Sequence, residues 1–168
     1  MKETPIQRVC HIMARLRAPD GCPWDQEQNH HSLRFHAVEE VYELIDAIEM
    51  ENDGEMREEL GDLLLQVIFH CQLAHERKAF DFDAVCSELA DKLVRRHPHV
   101  FGDKTIEDVE GVWTQWEAIK RSEKKGTLEE RHSALDGIPR HLPALQSVSY
   151  THLRAHETKG ESRMPSSA

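Results

Sequence analysis

The stretch AVEEVYELIDAIE (residues 37–49) spaces its apolar side chains as a helix does, not as a strand does. Leu33, Ala37, Val41, Leu44, Ile45 and Ile48 fall on one stripe, yet Glu39, Glu40 and Glu43 crowd into a turn and a half of the same helix. After the turn signal NDG (residues 52–54), EELGDLLLQVIFH (residues 58–70) repeats the combination. Glu58, Glu59 and Asp62 stand at the front of a stripe made by Met56, Leu60, Leu63, Leu64, Val67, Ile68, Cys71 and Ala74. Two long helices, expected over roughly residues 32–51 and 55–76, should pack antiparallel across so short a connection.

Working outward, residues 5–17 place Ile6, Val9, Cys10, Met13 and Leu16 at helical spacing, with Thr4 as cap and Pro5 at the first helical position. APDGCPWDQEQNHHS (residues 18–32) is rich in turn formers and reads as a loop. It carries Trp24, a costly residue to leave in a solvated loop unless it packs or binds something. A fourth helix starts at Asp81 or Asp83, carries Val85, Leu89 and Leu93, and breaks at Pro98. A fifth, capped by Thr105 with Asp108 three residues on, carries Val109, Val112, Trp113, Trp116 and Ile119 and ends in the largely cationic KRSEKKG. No segment alternates with period two. The expected fold is all-α, a four-helix-type bundle with an additional helix, occupying residues 5–125. Residues 126–147, with two prolines, read as a linker or docking segment. Residues 148–168 lose apolar periodicity, read as disordered, and have the character of a non-native tail.

Composition narrows the function. With 168 residues, 39% hydrophobic and 31% charged, the chain suffices for one domain with a core. A formal charge of −10 argues against direct nucleic-acid binding, which needs clustered cations, although phosphates remain accessible through metal ions. Cys10, Cys22, Cys71 and Cys86 are far apart with no CxxC pair, so reduced thiols are expected instead of a disulfide framework or zinc site. MKETPIQRV has no apolar signal region and no run approaches a membrane span, which gives a cytoplasmic expectation with no membrane partner.

Each residue of a helix advances about 100°, so Glu39 and Glu43 share a side, Glu40 and Glu43 are neighbours, and Glu59 and Asp62 form a second pair three residues apart. Like charges so spaced cost an isolated helix only about 0.2 to 0.5 kcal/mol, so a solvated acidic face is the default for an arbitrary glutamate and suits Glu49, Glu51, Glu55 and Glu58. Glu40, Glu43, Glu59 and Asp62 differ in flanking the core stripes of two adjacent helices. Converging carboxylates raise one another's pKa unless a cation neutralises them, and an oxygen-only donor set suits Mg²⁺ or Mn²⁺. Mg²⁺ binds through few carboxylates together with substrate phosphates, which implies a phosphorylated substrate.

At these residues the chain resembles the MazG family of all-α nucleoside triphosphate pyrophosphohydrolases, with the signature EExxE then ExxD across a helical hairpin. Here it stands as Glu39-Glu40-Val41-Tyr42-Glu43 and Glu59-Leu60-Gly61-Asp62. IMARLRAPDGCPWDQEQ, FDFDAV, DKLVRRHPHVFGD, WEAIK and HSALDGIPRHLPAL extend the resemblance in order, over roughly residues 6–146. It is similar to the first copy of a two-copy member, with a departure at Phe35 and His36 and another near Ser147. The resemblance implies that Glu40, Glu43, Glu59 and Asp62 hold magnesium. It implies catalytic roles for Glu43 and for Glu39, the latter as a support or a base for the attacking water. It assigns nucleotide contacts to Lys92, Arg96, Trp116 and Lys120, and implies a homodimer or dimer-based oligomer. Without it, Trp116 would read as core and Lys92, Arg96 and Lys120 as solvated cations.

The expected activity is Mg²⁺-dependent hydrolysis of nucleoside triphosphates to monophosphates and pyrophosphate, in nucleotide-pool cleaning or regulation. The alternative is a catalytically weak regulatory or dimerisation module that binds nucleotide or a protein partner. A calcium protein is disfavoured because no twelve-residue EF-hand loop is present.

Overall fold

The computed structural model describes residues 2–127 and residue 130. The segments expected at 126–147 and 148–168 fall, apart from residues 126, 127 and 130, outside the described residues. Seven helices and no strands occur among those described: α1 (Pro5–Leu16), α2 (Pro23–Glu27), α3 (Arg34–Glu49), α4 (Asp53–Glu76), α5 (Phe82–Arg96), α6 (Pro98–Phe101) and α7 (Val109–Lys124). The all-α expectation holds. The chain divides into two compact units, with the boundary between Lys92 and Leu93 inside α5.

In the first unit α3 and α4 pack along each other and α1 packs on α4. Three residues connect α3 to α4, which makes the pair antiparallel. The reversal sits slightly ahead of the sequence signal: Glu51 takes the left-handed conformation at φ 53°, and Asp53 and Gly54 already belong to α4. Asn52 explains the shift. Its side chain caps α4 by accepting from the backbone N–H of Gly54 at 3.1 Å and of Glu55 at 3.3 Å, so the turn must close before it.

The core lies where α1, α4 and the start of α3 meet. Met13, Leu33, Ile68, Phe69 and Leu73 are buried, flanked by Ile6, Cys10, Leu16, Leu65 and Phe82. α1 enters this core in the expected register, since Thr4 and Gln7 form a reciprocal capping box and Pro5 occupies the first turn. The chain then doubles back tightly. The Cys22 N–H donates to the Leu16 carbonyl at 2.7 Å, and a Cβ on Gly21 would lie 2.1 Å from that same oxygen, so only glycine fits.

Beyond the turn the sequence suggested loop, but Pro23 starts the five-residue α2, its ring fitting the first helical position. One arginine fastens this segment to α4. The Arg17 guanidinium donates to both Glu76 carboxylate oxygens at 2.7 Å and to the backbone carbonyls of Asp25 and Gln28. Those hydrogen bonds hold the Glu76 carboxyl below its ordinary range. A second link joins His30 to His70, whose Nδ1 atoms lie 2.8 Å apart. Arg77 donates to His30 Nε2, so His30 carries its proton on Nδ1 and gives it to His70.

The apolar stripes are only partly used in the core. Val41, Ile45 and Ile48 on α3 and Leu60, Leu64 and Val67 on α4 stay exposed, with Ile45 at 40% and Leu60 at 51%. Each set has the spacing i, i+4, i+7, which is one helix face.

In the second unit, α7 starts at Val109 with Asp108 as its cap, the carboxylate accepting from the Gly111 N–H at 2.7 Å. Thr105, the expected cap, lies in the irregular stretch at residues 104–107. Pro98, read as a stop, ends α5 and also begins the one-turn α6. Glu123 accepts from Arg95 at 2.6 Å and from Arg96 at 2.6 and 3.1 Å.

If this core holds the first unit together, Ile68→Ala will cost about 2 to 5 kcal/mol in urea unfolding, the usual range for emptying a buried aliphatic site. Ile45→Ala, on the exposed face, will cost clearly less in the same measurement on dilute protein.

Candidate functional site: a carboxylate cluster on the α3–α4 hairpin

Packing α3 against α4 brings three of the predicted ligands together. One carboxylate oxygen from each of Glu40, Glu43 and Glu59 lies within 4.8 Å of the others. Asp62 is outside this triad but close enough that its charge raises the Glu40 and Glu59 carboxyls. Glu39 is also outside the triad and more exposed, with an oxygen 3.4 Å from His36 Nδ1, and its charge too raises the Glu40 carboxyl.

For both Glu40 and Glu59, partial burial is the larger cause of the upward shift. Repulsion follows, from Asp62, Glu43 and Glu39 on Glu40, where the Gln66 hydrogen bond opposes it, and from Glu43, Asp62, Glu58 and Glu40 on Glu59. Among the described residues no Arg or Lys is paired with this set.

A residue missed by sequence reading completes the picture. Gln66 is 7% exposed; its Nε2 donates to Glu40 at 3.4 Å, and its Oε1 is buried with no hydrogen-bond partner. A signal was available, because Gln66 is the single polar residue in the run LLLQVIF (residues 63–69). A buried acceptor left unpaired costs about 1 to 3 kcal/mol, so a donor or cation arriving here is favoured. Three carboxylates, a fourth nearby and an orphaned amide oxygen form a hard-oxygen set that fits Mg²⁺ or Mn²⁺ with water retained.

The predicted nucleotide contacts are distributed differently. Lys92 is half-buried in the first unit; Arg96, Trp116 and Lys120 belong to the second. Arg96 is paired with Glu123 and lies over the Trp116 ring at 5.3 Å, and His97 meets that ring edge-on at 4.9 Å. Lys120 pairs with Glu117 at 2.9 Å. A phosphate chain would have to compete with Glu123 and Glu117 for these cations.

The raised carboxyls give a testable sign. A carboxyl whose folded pKa exceeds its unfolded value stabilises the fold at acid pH, and that contribution is lost as pH rises through the folded pKa. In EDTA at pH 7, Glu59→Gln will therefore raise the melting temperature. The gap will close as the pH falls below the ordinary carboxylate range, where the wild-type carboxyl is protonated in both states. Added Mg²⁺ will stabilise the wild type more than the variant.

Residues 28–101 match the MazG nucleotide pyrophosphohydrolase domain, an interval that contains all five acidic residues and Gln66. Over 141 residues the chain is 50% identical to the nucleoside triphosphate pyrophosphohydrolase of Escherichia coli, covering 83% of this chain and 53% of that protein. It is 48% identical over 147 residues to the nucleoside triphosphate pyrophosphohydrolase/pyrophosphatase MazG of Thermotoga maritima, covering 86% of this chain and 55% of that one. The chain thus spans about half the length of these curated relatives. The fold matches the crystal structure of a mazG-related protein from Thermotoga maritima with a TM-score of 0.57 at 22% identity, over 68% of this chain and 97% of that one. An all-α hairpin bearing EExxE and ExxD, inside the matched interval and shared with these relatives, identifies residues 28–101 as a MazG domain.

Proposed function

We propose that this chain hydrolyses nucleoside triphosphates to nucleoside monophosphates and pyrophosphate, and so acts in cleaning or regulating a nucleotide pool. The observation that carries this reading is the convergence of Glu40, Glu43 and Glu59 beside the orphaned Gln66 Oε1, in a chain whose relatives are named for that activity. Glu40, Glu43, Glu59 and Asp62 would hold Mg²⁺, or Mn²⁺, which when bound polarises the phosphate oxygens and offsets charge in the transition state.

The chain's own residues orient the reaction. Gln66 fixes the Glu40 carboxylate through its amide. In this reading Glu39 supports or deprotonates the water, and Glu43 acts with it, as the water oxygen bonds to the α-phosphorus. The bond from that phosphorus to the α–β bridging oxygen breaks, and pyrophosphate leaves with the electron pair. Lys92, Arg96 and Lys120 are the cations to neutralise the departing charge, and Trp116 supplies an aromatic contact. A regulatory or dimerisation module that binds nucleotide is the second reading. It is favoured by Arg96 and Lys120 being already engaged by carboxylates.

A homodimer belongs to this reading. The matched stripes Val41, Ile45, Ile48 and Leu60, Leu64, Val67 form an apolar face on the hairpin that a second copy would cover.

Incubation with each common nucleoside triphosphate and Mg²⁺ will yield monophosphate and pyrophosphate, abolished by EDTA and reduced at least about a hundredfold by Glu43→Gln with helix content unchanged. Diphosphate and orthophosphate as products, or undiminished turnover by the variant, would overturn the assignment. In sedimentation velocity the wild type will run as a dimer or larger, and Ile45→Glu with Leu64→Glu will run as a monomer.

A further inference from the structure

We infer that Trp24 is the platform on which the substrate's nucleobase stacks, with His36 at its edge; this rests on the triphosphate reading above. Trp24 leaves 53% of its surface exposed, though an indole gains from burial. It is nevertheless held. Its ring stands edge-on to the buried Phe69 at 6.4 Å and to His36 at 6.2 Å. Its carbonyl accepts from Gln28 Nε2 at 3.0 Å, Gln26 Nε2 donates to the Ala18 carbonyl at 2.8 Å, and Arg17 fastens α2 from behind. An open aromatic face held in place on the braced α2 is what base stacking requires.

Its position along the hairpin is set by helix geometry. On α4 the residues Glu59, Asp62, Gln66 and Phe69 follow one another at three, four and three positions, and on α3 His36, Glu40 and Glu43 do so at four and three. The Gln66 to Glu40 hydrogen bond puts these two rows side by side. Because the helices are antiparallel, the carboxylates lie toward the turn and the Trp24, His36 and Phe69 rings toward the other end. The rise from Glu40 to His36 is about 6 Å, to which the width of the ring contact is added. That is the reach of a nucleotide with its phosphates at the carboxylates and its base on the indole.

Stacking uses the π-face every base possesses, so this platform accepts all common bases and favours the larger purines.

Calorimetric titration with the α,β-methylene analogue of ATP and with inorganic triphosphate, each with Mg²⁺, tests the assignment on wild type, Trp24→Leu and Trp24→Phe. Trp24→Leu will weaken the analogue about tenfold to a hundredfold while inorganic triphosphate changes less than about twofold, and Trp24→Phe will restore most of the loss. Equal weakening of both ligands would make Trp24 a structural support and overturn the platform. So would unchanged analogue binding, or a loss that tracks with dissociation of subunits. Wild type binding inorganic triphosphate as tightly as the analogue would overturn the platform alone; wild type binding neither would overturn the carboxylate site itself, and the platform with it.

Discussion

The packing of α3 on α4 is the constraint from which the rest of the first unit follows. Apolar contact between the helices, together with their contact on α1, requires the hairpin to close, and closing it forces Glu40, Glu43 and Glu59 within 4.8 Å of each other. The repulsion does not undo the hairpin, because hydrophobic burial along two long helices exceeds what a few partly solvated like charges oppose. Stability has been given up locally for an electrostatic field that favours a cation.

The segment between α1 and α3 is the second support. It looks like loop by composition, yet Arg17, Glu76 and the Trp24 to Phe69 contact fix it to the far end of α4. α3 has no side-chain cap of its own; its start is held by the burial of Leu33 and by this braced segment. The acidic turn is therefore positioned from two directions, by the hairpin turn below it and by the braced segment above.

The sequence made the long elements readable because their periodicity runs over many residues, and the capping box at Thr4 and Gln7 is a local signal. The acidic pairs were equally readable, since i, i+3 and i, i+4 spacing fixes a shared face. What escaped depends on competition or on distance. Thr105 with Asp108 looked like a cap pair, but Asp108 with Gly111 lies equally close and takes the helix start. Pro98 was read as a breaker and Pro23 as part of a loop, although a proline ring suits the first turn of a helix. The Arg17 to Glu76 pair spans 59 residues, and the Arg96 to Glu123 pair 27, separations that no local pattern encodes. Nor does a stripe say whether its cover comes from the same chain, so Ile45 and Leu64 were legible as apolar and not as exposed.

The short connection at residues 50–52 has a further consequence. Asn52 starts α4 and Glu51 absorbs the left-handed backbone, so the phase of α4 relative to α3 is set by the number of residues between the helices. One inserted residue would turn α4 by about 100° and carry Glu59 and Gln66 away from Glu40. The hairpin can thus accept changes of residue identity at the turn far more readily than a change of length. A lineage keeping this site will drift in spelling there and stay fixed in count.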